Sequence, residues 1–432
     1  FTNSATGVTY ANDLVGSSPS PDTKGSRNVT SAYLEFAIPL VSPEMEIPFV
    51  HNLEAQVAGR YESFSDAGDV AKPKVAMAWD VIDGLRFRGS WAQGFKAPNL
   101  EQVNATLVTR SNNRRDWYRC EAEVRAGRLS NLQACSAPAT AERRSGNPEL
   151  KPEESETWGV GVVYEPRFIP EDFGRFTFTV DYWRVKQDGI VGLFGGGNAI
   201  TADYLARLNG SSYASVVRAA PTADDIAAYA GTGLAPVGQI LYITDQYQNL
   251  LPQEARGLDI GVMWSLRGTR YGDFNLNLNV SHVLKYYLEP SPGVQELMDA
   301  MDSGDIDPAI NFSGSAGDLL RDFGRPEWKW SLSGTWRYQN ITVGAFTQYI
   351  SSLYDDSVTN AANEPWTVDA TLTGNLYGEY QFEDGGLLSG TAVRVGVRNI
   401  TDEQPPLSSG GYVGTVYQPY GRYWYASIRK TF

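Results

Sequence analysis

This 432-residue chain has two histidines, two cysteines and five methionines. His51 and His282 lie far apart and lack the neighbours that a metal motif needs, so the histidines offer no metal site. No serine sits in a nucleophile-elbow pattern, and no carboxylate has a positioned partner that would make a catalytic pair. The residues argue for neither an enzyme nor a cofactor. A run of about eighteen apolar residues is also missing, which excludes a transmembrane helix but not a membrane, because barrel strands alternate and escape hydropathy windows. The mean hydropathy of -0.32 is compatible with such strands. No stripe of Lys and Arg is found, and the net charge of -14 argues against a nucleic-acid partner. The first residues, "FTNSATGVTY", show neither an initiating Met nor the charged and apolar regions of a signal peptide, so the sequence reads as a piece of something longer.

Aromatics and glycine are plentiful: 24 Tyr, 17 Phe, 11 Trp and 43 Gly favour strands and turns over helices. In "FNLNLNV", Phe274, Leu276, Leu278 and Val280 alternate with Asn275, Asn277 and Asn279, a pattern that only a period of two accommodates. "WTVDATLTGNLYGEYQF" alternates in the same way from Trp366 to Phe382 and reads as one long strand. Similar runs predict about thirteen strands: 30–39, 50–63, 72–82, 85–95, 153–165, 174–187, 239–266, 272–287, 326–338, 341–352, 364–382, 391–401 and 421–432. The segment 239–266 is taken as one strand with an irregularity near Leu251 and Pro252, because splitting it would put later loops on the wrong side.

Joints between the runs alternate in length. Short ones fall near 81–84, 165–174, 267–272, 338–341 and 383–390, and long ones at 94–152, 188–239, 286–325, 353–364 and 402–420. That asymmetry is the signature of an outer-membrane up-and-down barrel, with short periplasmic turns and long extracellular loops. Aromatics mark the expected band. Trp328 and Trp330 stand at one end of a strand, with Trp336 and Tyr338 at the other. About ten tilted residues between them span roughly 24 Å, the height of an apolar barrel band. Tyr164, Phe176, Trp264, Phe274, Tyr380, Phe382 and Phe432 would form a lower girdle. The terminal "GRYWYASIRKTF" reads as the closing strand, with Trp424, Ala426, Ile428 and Phe432 towards lipid and Lys430 snorkelling from the same face.

Within the long loops, only 201–230 reads helical, with possible starts at Thr201 and at Thr222. Loop 302–322 offers Asp302, Asp305 and Asp307, oxygen donors for Ca²⁺ or simply a solvated loop. Cys120 and Cys135 have the spacing of a single disulfide, which would imply an oxidising compartment; two free thiols are the alternative. Such a bridge would contribute about 3 kcal/mol. Trp117, Tyr118 and Arg119 sit beside Cys120, and with Tyr204, Tyr242 and Tyr354 they are candidate ligand contacts, since aromatic faces stack on sugar rings or flat chelates; a bridged loop stabilised against proteases is the alternative for 117–120. Asn275, Asn277, Asn279, Thr367, Asp369, Thr371 and Asn375 are expected to face the lumen.

Several stretches resemble the TonB-dependent outer-membrane transporters. "RGSWAQGFKAPNL" is similar to that family's strand ending in Gly-Phe-Arg-Ala-Pro-Asn, here Gly94, Phe95, Lys96, Ala97, Pro98 and Asn99, with Lys96 replacing the usual Arg. "GNPELKPEESETWGVGV" resembles its Asn-Pro-x-Leu-x-Pro-Glu segment through Asn147, Pro148, Leu150, Pro152 and Glu153. "EARGLDIG" and "VRVGVRNITDEQP", with Asn399, look like two further family strands, followed by the terminal aromatic Phe432. The resemblance implies a 22-stranded barrel around an N-terminal plug, powered by the inner-membrane TonB complex. The whole chain, 1–432, would then be the C-terminal part of the barrel domain, with 1–29 an outer-loop remnant. Its implied partners are outer-membrane lipid, the plug and remaining strands, the TonB complex and a scarce nutrient, either an iron-siderophore or an oligosaccharide. A passive porin or surface-binding barrel, and a soluble carbohydrate-binding β protein, are the alternatives.

Overall fold

The computed structural model describes residues 23–250, 252–308, 310, 316–322, 324–359, 364–383 and 386–431. Most of 1–29, and Phe432 with its place in the girdle, therefore lie outside the described residues. Thirteen strands form one antiparallel sheet in strict chain order: β1 (Val29–Val41), β2 (Asn52–Phe64), β3 (Gly68–Ile82), β4 (Leu85–Lys96), β5 (Glu153–Tyr164), β6 (Arg175–Asp188), β7 (Gln253–Thr269), β8 (Gly272–Leu288), β9 (Trp328–Tyr338), β10 (Ile341–Ile350), β11 (Thr371–Phe382), β12 (Thr391–Arg398) and β13 (Tyr423–Lys430). A two-residue strand, Gly317–Asp318, pairs beside β8. Among the described residues β1 and β13 are the sheet's two edges.

Period-two alternation explains why the sheet has two chemically distinct faces. One cross-strand row reads Phe176, Trp264, Leu276, Gly334, Ala345, Leu376, Val397 and Trp424. The adjacent row, on the opposite face, reads Arg175, Ser265, Asn275, Thr335, Gly344, Tyr377, Gly396 and Tyr425. A shift of one residue would exchange the faces, so the pattern pins the register. Aromatics line the short-joint end of the apolar face as a run of touching rings, Tyr164 to Phe178 to Phe176 to Trp264 to Phe274, with neighbouring centroids 6.1–6.4 Å apart. Trp264 and Trp336 donate their indole N–H groups to the carbonyls of Phe173 and Tyr271 in the short joints, at 2.8 and 2.7 Å. Lys430 shares the apolar face and turns its ammonium towards the same end, donating to the carbonyls of Leu387 and Ser389.

The expected single strand 239–266 is corrected. Ile240–Gln246 leaves the sheet and pairs in parallel with Ala139–Ser145, and only Gln253–Thr269 enters the main sheet. Pro252, which has no N–H to offer a ladder, stands just before β7. The strand 364–382 is corrected likewise. Pro365–Val368 pairs with Leu353–Thr359 as a separate ribbon, and β11 starts at Thr371, so Thr367 and Asp369 are not on the sheet wall. The up-and-down count survives both changes because the misplaced pieces belong to the outer loops.

Helices were the larger omission. α1 (Leu100–Asn104), α2 (Trp117–Arg125) and α5 (Pro292–Asp302) join the expected helical region, which holds α3 (Gly196–Leu208) and α4 (Ala223–Tyr229). α4 starts where expected, in a capping box between Thr222 and Asp225. Thr201 is not a cap: it lies inside α3, its hydroxyl bonding back to the carbonyl of Gly197 at 3.2 Å. The largest cluster of buried apolar residues joins α2, α3, α4 and α5 above the long-loop end of the sheet, rather than lying on the sheet itself.

Candidate functional site

Two parts of the molecule could meet a ligand: the polar face of the sheet and the loop cap above it. The cap is a small domain assembled from the three longest connections, which follow β4, β6 and β8. Its sheet runs Val216–Arg218, Ile240–Gln246, Ala139–Ser145 and Val108–Asn113. A disulfide between Cys120 and Cys135 ties α2 to the turn at Leu132–Ala134. Charge holds the helices together. The guanidinium of Arg218, with its side chain 6 % exposed, grips both Asp116, the N-cap of α2, and Asp203 in α3 at 2.9 Å. Arg207 meets Asp203 from the next turn at 2.8 Å. Arg114 and Arg144 close on the fully buried carboxylate of Glu142 at 2.5 and 2.6 Å. The carboxyl of Asp225 is held down to about 2 by the N–H and hydroxyl of Thr222, with Arg119 adding a bond at 2.8 Å.

Of the loop aromatics expected to meet ligand, three lie inside the cap. Trp117, Tyr118 and Tyr204 are 7 %, 2 % and 4 % exposed and form the cap's core. Tyr118 donates to the carbonyl of Ala235 at 3.2 Å and packs on Tyr229, and burial raises the pKa of the Tyr204 hydroxyl. Arg119 is spent on Asp225. Tyr242 lies under the Arg143 guanidinium at 3.5 Å. Tyr354 sits on the separate ribbon, its hydroxyl accepting from Arg321 at 2.7 Å. The six residues are therefore not brought together. Among the described residues no group of three or more His, Cys, Asp or Glu could hold a metal ion.

The motif residues serve architecture. Lys96 ends β4 in an ion pair at 3.2 Å with Glu153, whose carboxylate also accepts from the Val191 N–H and the Gln187 amide. Asn99 caps α1 in a reciprocal box with Gln102. Asn147 donates to the carbonyl of Tyr247 and accepts from the N–H of Glu149, both at 2.9 Å, while Leu150 is buried. Phe95 packs edge-on against Phe64. Together these residues seat the cap on the ends of β4 and β5.

The polar face presents Asn275, Asn277 and Asn279 as expected, with Ser331, Ser333 and Thr335 opposite them on β9. Arg88 and Asp181 form a two-point ion pair on the same face, at 2.8 and 2.6 Å. Glycines alternate with tyrosines along one row. A Cβ on Gly344 would stand 2.2 Å from the Tyr377 ring, and one on Gly396 would stand 2.5 Å from Tyr425, so each ring lies flat along the wall over a glycine. At the outer end the loop 399–420 folds back over this face. Asn399 is its pivot: its N–H donates to the Asn375 side chain, its amide oxygen accepts from the Glu403 N–H, and its amide nitrogen donates to the carbonyls of Glu403 and Tyr420. Asn399 and Asp402 take the left-handed backbone, at φ 50° and 59°, which asparagine and aspartate tolerate best after glycine. Tyr417 packs with Ile350, Leu353 and Val368 beneath the loop, and burial pushes its hydroxyl pKa up to about 12. A cavity of about 320 Å³ remains between loop and wall. The sequence reading missed this cavity, although the motif around Asn399 pointed to its frame.

Comparison with solved structures gives the fold. The siderophore receptor PirA from Acinetobacter baumannii aligns over the full chain and 49 % of its own length, at 15 % identity and a TM-score of 0.57. A mutant of the ferric enterobactin receptor PfeA from Pseudomonas aeruginosa, in complex with enterobactin, aligns over 93 % of this chain and 45 % of its own, at 15 % identity and a TM-score of 0.57. The chain thus spans about half the length of the structures it matches. No curated protein matches it. The family model described as "TonB dependent receptor-like, beta-barrel" matches residues 1–400, and with that match spanning most of its length the chain belongs to the TonB-dependent receptor β-barrel family of the bacterial outer membrane.

Proposed function

We propose that the chain is the barrel part of a TonB-dependent importer, which draws a scarce nutrient, an iron-siderophore or an oligosaccharide, across the outer membrane. The family match over residues 1–400 carries this reading. Two features support it. The inward face carries many polar side chains, among them Arg175, Asp181, Ser265, Asn275, Asn277 and Thr335, beside apolar ones such as Met263 and Phe346, and the long loops fold into a cross-linked cap. A plug and the TonB complex are the implied partners, and outer-membrane lipid surrounds the apolar face. The test is uptake: cells expressing the full-length protein should accumulate their nutrient only with intact TonB and a proton gradient. Solute entry unchanged by a protonophore, together with steady conductance in planar bilayers, would assign the barrel to passive porins instead.

A further inference from the structure

We propose that the cavity between the barrel wall and loop 399–420 is a binding subsite for one uncharged sugar residue of a glycan. This rests on the importer reading above and names its substrate class.

The cavity draws Phe346, Gln348 and Thr373 from the wall, together with Arg398 and Tyr423, and Glu403 and Gln404 from the loop. Its volume of about 320 Å³ lies at the small end of the roughly 300–1,000 Å³ of ligand pockets. That suits a single ring better than a whole multidentate chelate. In the cavity, Gln348, Thr373, Arg398 and Glu403 make no side-chain hydrogen bond or ion pair with the described residues. Arg398 is held only by rings, its guanidinium 5.8 and 5.7 Å from the centroids of Tyr423 and Tyr425. Glu403 is fixed through its backbone to Asn399, which leaves its carboxylate unspent.

Charge balance selects the ligand class. One cation and one anion line the cavity without pairing, so an anionic group drawn to Arg398 would be repelled by Glu403, and a cationic group the reverse. A neutral polyol conflicts with neither. Its hydroxyls both donate and accept, so they can bond a guanidinium that only donates, a carboxylate that only accepts, and an amide and hydroxyl that do both. Phe346 and Tyr423, 37 % and 40 % exposed, supply ring faces for the C–H side of a sugar. The Asn399 pivot fixes the loop before ligand arrives, which lowers the ordering cost of binding.

The experiment is equilibrium binding, without energy coupling. The full-length protein in detergent is applied to an array of neutral gluco-, xylo-, manno- and galacto-oligosaccharides, with 2,3-dihydroxybenzoate as the anionic probe in calorimetry. Wild type, Arg398→Gln, Gln348→Ala and Tyr423→Ala are compared, each first shown to keep the heat-modifiable gel mobility of a folded barrel. Saturable binding of at least one neutral glycan is expected, weakened tenfold or more by Arg398→Gln or Tyr423→Ala and unchanged between low and high salt. No glycan bound, binding indifferent to all three substitutions, or dihydroxybenzoate bound through Arg398 would overturn the proposal. TonB-dependent uptake that persists alongside any of those outcomes would leave the importer reading standing and remove only this subsite.

Discussion

Removing the Arg218 guanidinium would leave Asp116 without its cation and Asp203 with Arg207 alone, the two carboxylates no longer joined. Breaking such a buried ion cluster from one side costs about 3–5 kcal/mol, because the remaining charges keep their desolvation penalty without the attraction that offset it. Arg218→Ala should therefore make the cap protease-sensitive on intact cells while the barrel's heat-modifiable mobility stays unchanged; equal resistance in both forms would refute the role. Asp225 gives a pH signature at the same scale. Its carboxyl is depressed from 3.8 to about 2, so its contribution is fully present above the unfolded value and is lost as pH falls from 3.8 towards 2. Hydrogen exchange in α4 should rise across that window in the native protein. In Asp225→Asn the rise should be absent, because the group that titrates is gone.

Among elements, the wall depends on β10 and β12 keeping glycine beneath the rings of Tyr377 and Tyr425. Gly344→Leu would drive side-chain atoms into the Tyr377 ring, an overpacking that typically costs about 1–3 kcal/mol. Lower yield of folded barrel is expected, with partial recovery in Gly344→Leu combined with Tyr377→Ala; no recovery would mean that the ring is not the obstacle. The strands themselves were legible because side-chain parity is local: "FNLNLNV" shows its two faces without any knowledge of its neighbours. Their ends were not. Alternation runs unbroken through Asp369 and Ala370, where the chain changes partner from Leu353–Thr359 to β10, and parity carries no record of which strand lies alongside. The missed helices left signals that were there to read, Asp116 as N-cap of α2 and Ser291 ahead of Pro292 for α5. In α2 the aromatics and Cys120 drew a ligand-contact reading, but their spacing is that of a buried helix face.

At the level of the whole molecule, the family was readable from four short motifs, while the candidate site was not. The motif residues turned out to be junctions, as with Lys96 on Glu153, whereas the cavity beneath loop 399–420 needs side chains from β10, β11, β12 and β13 at once. No single segment carries that combination. The cap escaped for the same reason: Tyr118 meets Ala235, and Asp116 meets Arg218, across more than a hundred residues of chain.

That long reach ties the cap's core to the order of the wall strands. Its core closes only after three separate connections have emerged on one side of the membrane, carried there by β4 to β9 in the right order. Contacts so distant in sequence form late. A barrel with one strand misthreaded would leave Trp117, Tyr204 and Leu297 without partners, showing apolar surface, so closure of the cap depends on the wall beneath it.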